Sequence, residues 1–228
     1  MLEGLEYNFR QPKTYGWIEI KLNDYLINHV WDCVGDARGN HKSKLVGHID
    51  KSLAIEDKNN ILFDQLLLPL VNAYGNNWGH GHFNVPIYKK DRPTGGKAWG
   101  LTSYSPNNAE FFLDQFWVNY QNKHEFNPIH NHGGVYSFAC WLKIPTDYKD
   151  QNEIYNAIDA NGSFNSAFCF HYTDSLGNIR TTLYEQYPDL EGTMLFFPAS
   201  LNHEVYPYYD CNEQRISISG NLWLRLKK

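Results

Sequence analysis

Nowhere in its 228 residues does this sequence hold an uninterrupted apolar run of about 18, the length a membrane-spanning helix needs. The opening stretch, MLEGLEYNFRQPK, has no apolar leader segment, so a reducing cytoplasm is the expected compartment. Positive charge is not in excess: 20 Lys and Arg stand against 25 Asp and Glu, a formal net charge of −5. That leaves no basic footprint for nucleic acid or for an anionic membrane surface. The four cysteines, Cys33, Cys140, Cys169 and Cys211, are scattered and form no Cys-x-x-Cys pair. Cys140 and Cys169 sit inside apolar runs and read as buried thiols. Internal repeats and low-complexity tracts are absent.

What the sequence has in quantity is aromatic residues, 16% of the chain, including sixteen tyrosines and seven tryptophans. That bias favours strands over a helical bundle, and the length suits one large domain. Leu26, Ile27, Val30, Trp31 and Val34 recur at helical spacing behind Asn23 and Asp24, which predicts a helix over 24–34. Residues 36–50 are polar and Gly-punctuated and read as loop. A second helix is expected from Ile61 to Tyr74, kinked or broken at Pro69. Residues 75–108 read as a loop over the site; they contain His80-Gly81-His82, a rival histidine pair that nothing downstream completes. From Glu110 the pattern is short strands separated by turns, seven or eight in all, with a polar insertion at 146–163. The fold class expected is mainly β, a double-stranded β-helix or jelly roll with N-terminal helices packed on one sheet. Residues 1–109 would be a helical and loop support region of the same domain, and 110–228 its catalytic core.

The chemistry concentrates in three segments. In the first, Phe126 to Ser137, His130 and His132 are two residues apart, so on a strand they would project from one face. The second runs from Gly192 through Phe196-Phe197-Pro198 to His203, where a strand would end in a turn and start again. Three neutral imidazoles can bind a divalent first-row metal and leave positions open. The third, Arg215-Ile216-Ser217, puts a forked donor and a hydroxyl on one strand face, which suits a carboxylate held bidentately. Three imidazoles also suit zinc, as in a hydrolase or lyase. A non-catalytic jelly-roll binding module would use surface-capable aromatics such as Tyr206-Pro207-Tyr208-Tyr209. Only a diacid-using enzyme gives Arg215 and Ser217 a task.

Taken together, the His-x-His pair, the distal histidine after Gly-x-x-x-Phe-Phe-Pro and the Arg-x-Ser strand resemble the Fe(II)- and 2-oxoglutarate-dependent dioxygenases. The resemblance is strongest to the oxygenases similar to prolyl 4-hydroxylase found in bacterial and phage genomes, and it covers about residues 110–224. It implies that His130, His132 and His203 coordinate Fe(II), and that Arg215, assisted by Ser217, binds the distal carboxylate of 2-oxoglutarate. Tyr120, on the preceding strand, would touch the same cosubstrate, with Asn119 pointing the other way. The activity implied is hydroxylation of a substrate the sequence does not identify, with release of succinate and CO2. One position departs from the family pattern: most members use two histidines and a carboxylate, whereas the middle ligand here is His132. A third neutral ligand leaves the metal site one unit more positive, which alters redox behaviour and cosubstrate affinity. Glu125 and Glu204 are the nearby carboxylates that would have to substitute.

Overall fold

The computed structural model describes residues 14–79, 87–88, 109–160 and 162–227. In chain order, the regular elements are β1 (Ile18–Lys21), α1 (Asp24–Gly35), β2 (Arg38–Asn40), β3 (Lys51–Ala54), α2 (Leu68–Trp78), β4 (Ile87–Tyr88), β5 (Ala109–Gln121) and β6 (Asn127–His130). They continue with β7 (Tyr136–Lys143), α3 (Tyr148–Asn152), β8 (Phe168–Thr173), β9 (Ile179–Tyr184), β10 (Thr193–Pro198), β11 (Asn202–Val205) and β12 (Arg215–Leu226). A major sheet runs β1-β10-β7-β12-β5-β3-β2, with β4 added in parallel to β12; a minor sheet runs β6-β11-β8-β9. Every other pairing is antiparallel. This is a mainly β, jelly-roll architecture with the helices on one sheet.

Period-2 alternation sorts the major sheet's side chains into two cores. On one face Phe138, Cys140, Phe196, Ile218 and Leu222 meet Leu26 and Val30 of α1 and Leu67 and Val71 of the second helix. On the other, Trp141, Leu195 and Phe197 meet Phe168, Phe170 and Leu201 of the minor sheet side. The site lies at one end of this second layer.

The helical periodicity around Leu26 and Val30 is realised as α1, and the Asn23 side chain caps it by accepting the Leu26 N–H at 2.9 Å. Pro69 acts as expected but more gently than a break. It lacks the N–H that Gln65 would bond and crowds that carbonyl, and the turn just before it, Phe63–Leu67, widens to a π-helix before α2 continues. The loop expected over 36–50 is in part a correction: β2 lies within it and pairs with β3, whose Ser52 and Leu53 add an edge to β5. Eight strands, β5 to β12, stand from Ala109 onward, in line with the seven or eight expected there, and β1 to β4 precede them among the described residues. Tyr208, read as surface-capable, is fully buried. His80, Gly81 and His82 lie outside the described residues. Among the described residues no helix is long and apolar enough to cross a membrane.

Candidate metal and cosubstrate site

β6 and β11 pair antiparallel with His130 and His203 as direct Cα partners, so two imidazoles start side by side on neighbouring strands. His132 arrives differently from the expected strand alternation. β6 ends at His130, and His132 sits in the following loop, pinned where its N–H donates to the Ala199 carbonyl at 2.8 Å. The rings nevertheless converge, with centroids 4.3 Å apart for His130 and His203 and 5.0 Å for each of the other two pairs. One ring nitrogen from each histidine lies within 4.8 Å of the others.

The tautomers follow from the neighbours. His130 Nδ1 lies 2.7 Å from the Pro128 carbonyl and His203 Nδ1 lies 2.9 Å from that of Leu201. A carbonyl can only accept, so both Nδ1 atoms carry the proton and both Nε2 lone pairs are free. The Nε2 atoms of His132 and His203 are 3.2 Å apart. Two nitrogens at zinc- or iron-like bond lengths on one ion are separated by roughly 2.9–3.4 Å for angles between square and tetrahedral, so the spacing fits a shared cation. Burial, and then the other imidazoles, hold the acid form down: His132 is pushed to about 3 and His203 well below its usual value. Burial also lowers His130. All three are neutral ligands near neutral pH. Trp117 sits beside His132 at 5.7 Å, and Phe168 and Phe197 flank His203 at 5.7 and 5.0 Å, walling the cluster from water.

The histidines share a cavity of about 90 Å³ with Arg215, Ser217, Ser219, Asn119, Gln121 and Trp141. A short segment, Lys44 to Gly47 with Ile49, forms one wall. Arg215 is 1% exposed. Its Nη2 donates to the carbonyl and hydroxyl of Ser166 at 2.9 and 2.6 Å, its guanidinium carbon lies 5.1 Å from the centre of the Tyr208 ring, and Nε and Nη1 have no partner. No carboxylate pairs with it among the described residues, and burial pushes its pKa down to about 10. A buried guanidinium with two idle donors facing a cavity calls for an anion, since an unpaired charge in such a place is costly.

Tyr120 is a correction. Its β5 neighbours Trp117, Asn119 and Gln121 line the cavity, whereas Tyr120 packs with the helix-side core under the Lys51 ammonium, 4.2 Å from its ring centre. Asn119 is the residue on the cavity side, opposite Ser217 in the β5–β12 register, and its Oδ1 accepts the Ser52 hydroxyl at 2.6 Å. Phe116, Trp117 and Val118 are all buried, so both faces of β5 are apolar and hydrophobic alternation carries no facing signal there. Ser166 and Tyr208 were also missed; Ser166 approaches Arg215 from a distant loop and Tyr208 from the loop just before β12, and no local pattern marks either. Neither carboxylate substitutes at the histidines: Glu125 accepts the N–H groups of Asp50 and Asn122, and Glu204 faces His171 at 2.8 Å.

Fold and site together define a double-stranded β-helix whose mouth carries a three-histidine cluster and a buried arginine. Residues 115–221 match the family described as “Putative 2OG-Fe(II) oxygenase”. Over that region the chain is similar to the Fe(II)- and 2-oxoglutarate-dependent oxygenases. Among solved structures it is similar to a 2OG-Fe(II) oxygenase family oxidoreductase from Burkholderia pseudomallei, at 11% identity over 91% of this chain and 84% of that one, with a TM-score of 0.50. A prolyl-4-hydroxylase from Pseudomonas putida aligns at 13% identity over 94% of this chain and 95% of that one, with a TM-score of 0.46. At such identities the Burkholderia likeness speaks to the fold alone. A search of curated proteins finds no match.

Proposed function

We propose that this protein is an oxygenase that holds Fe(II) on His130, His132 and His203 and 2-oxoglutarate on Arg215 and Ser217, and that it hydroxylates a substrate with release of succinate and CO2. The observation that carries the assignment is the buried Arg215 with two unpartnered donors in the same cavity as the histidines. Bound iron and 2-oxoglutarate would supply the oxidising power for C–H cleavage. The chain's own part is positional. Leu201 and Pro128 carbonyls fix the His203 and His130 tautomers, so Nε2 is presented without a proton to lose. Tyr208 and Ser166 set the plane of the Arg215 guanidinium, whose free Nε and Nη1 would donate to a carboxylate while Ser217 would add a hydroxyl. The aromatic wall of Trp117, Phe168 and Phe197 keeps water from the ligands. We assign residues 1–109 a supporting role in the same domain as the 110–228 core, and we place the protein in the cytoplasm.

Anaerobic addition of Fe(II) and 2-oxoglutarate to the protein tests this. The expected result is a weak visible metal-to-ligand absorption band that His203→Ala abolishes, followed by succinate formation when O2 is admitted. A protein that takes up zinc but gives no band with Fe(II) and 2-oxoglutarate would overturn the assignment.

A further inference from the structure

A second group of metal-ligating side chains lies on the opposite, helical side of the major sheet and has no part in the oxygenase site. His29 and Cys33 are four residues apart on α1, so their side chains share one face. Asp57, from the segment before the second helix, meets them: His29 Nε2 lies 2.8 Å from Asp57 Oδ1 and 3.5 Å from Cys33 Sγ. All three ligand atoms lie within 4.8 Å of one another. His29 and Cys33 are 8% and 1% exposed, and the Asp57 side chain 4%.

The geometry is that of a site waiting for one ion rather than of a proton relay. A relay would use both ring nitrogens of the histidine, one toward each partner, whereas here thiol and carboxylate converge on the same Nε2. On a tetrahedral zinc ion, with Zn–N near 2.05 Å and Zn–S near 2.3 Å, the N···S edge is about 3.5 Å, which is the separation found. The N···O edge needs about 3.3 Å, so the carboxylate would move outward by roughly half an ångström from its present hydrogen-bonded position. Burial holds the Cys33 thiol above its usual pKa, so it would ionise on binding a cation, while the Leu62 and Phe63 N–H groups donate to the two Asp57 oxygens at 3.0 and 2.8 Å. Thiolate and carboxylate together neutralise a dication, and the backbone donors hold the carboxylate in place as outer-shell partners do in known sites. Cys33 also lines a surface cavity of about 400 Å³ with Asp36, Glu56 and Lys58, which supplies an approach for the ion and a position for a water as fourth ligand.

We infer that His29, Cys33 and Asp57 form a structural site for zinc or a similar soft divalent ion, clamping α1 to the start of the second helix. This does not depend on the function proposed for the three-histidine cluster.

The test uses full-length protein carrying His132→Ala and His203→Ala, which removes the first site, titrated with Co(II). The expected result is one bound equivalent with a sulfur-to-cobalt charge-transfer band in the near ultraviolet, displaced by Zn(II), with zinc raising Tm. A three-histidine site has no thiolate and cannot produce that band. Adding Cys33→Ser should remove the band and the equivalent of metal. In the otherwise native protein, Cys33→Ser should lower bound metal from two equivalents to one while leaving the visible Fe(II)–2-oxoglutarate band intact, so failure of one site is separable from failure of the other. If Cys33→Ser impairs folding, His29→Gln serves in its place with the same readout. No sulfur band, or a band that survives Cys33→Ser, would show that the three residues are only a hydrogen-bonded helix cap.

Discussion

The guanidinium of Arg215 rests on the ring of Tyr208, 5.1 Å from its centre, although the two are joined by a loop that leaves β11 and returns as β12. The Tyr208 hydroxyl lies 2.8 and 2.6 Å from the carbonyls of Gln121 and Glu213, at the end of β5 and just before β12. The ring is therefore fixed at both strands that meet at the cavity, and it holds the guanidinium flat against a rigid surface.

Arg215 should trade stability for binding. Arg215→Met keeps much of the stem volume and removes a buried charge that lacks a carboxylate partner, so thermal unfolding of the metal- and cosubstrate-free protein should show an unchanged or higher Tm. The same variant should weaken 2-oxoglutarate binding by about 10–100-fold, the worth of one or two hydrogen bonds to a charged group, as measured by calorimetry. A substantial drop in Tm would mean that the guanidinium is already paired.

Asn119 and Tyr120 should behave in opposite ways. Asn119→Asp puts a second anion on the cavity face opposite Ser217 and should reduce 2-oxoglutarate affinity by about tenfold or more. Tyr120→Phe, on the helix side of the sheet, should leave affinity within about twofold of the parent. Equal effects in the two titrations would contradict the facing described for β5.

Gly134 ends the loop that carries His132, with φ of 106°, and a Cβ there would come within 2.7 Å of the Leu222 carbonyl. Gly134→Ala therefore combines a backbone penalty with a clash against β12, and urea unfolding should report a loss of about 1–4 kcal/mol. Because β12 cannot yield without disturbing its pairs with β5 and β7, the loop should shift instead. Metal affinity should then fall with stability.

How much of this was legible in the sequence depended on whether local pattern or distant packing decided the outcome. The helical spacing of Leu26, Val30 and Val34, the Pro69 irregularity, and the His130, His203 and Arg215 motifs each carry their signal within a few residues, and the structure brings the three histidines and Arg215 to one cavity. The facing of Tyr120 was not legible, because both sides of β5 are buried and alternation is silent there. Tyr208 looked like a surface aromatic because nothing near Tyr206-Pro207 reveals that Arg215 will lie above it. The short strand β2 was read as loop since Arg38-Gly39-Asn40 has no strand propensity and is held by pairing alone.

The wall formed by Lys44 to Gly47 and Ile49 comes from the half of the chain that precedes the family-matched region. Gly47 is packed so tightly on Asn127 that a methyl group there would collide with its amide, and His48 pairs with Phe126 through the backbone and stacks on it at 4.7 Å. Excising 110–228 as a minimal enzyme would thus leave the pocket open on one flank and strip β3 from β5, baring a long sheet margin able to recruit other chains. The segment that looks like an accessory is a side of the vessel.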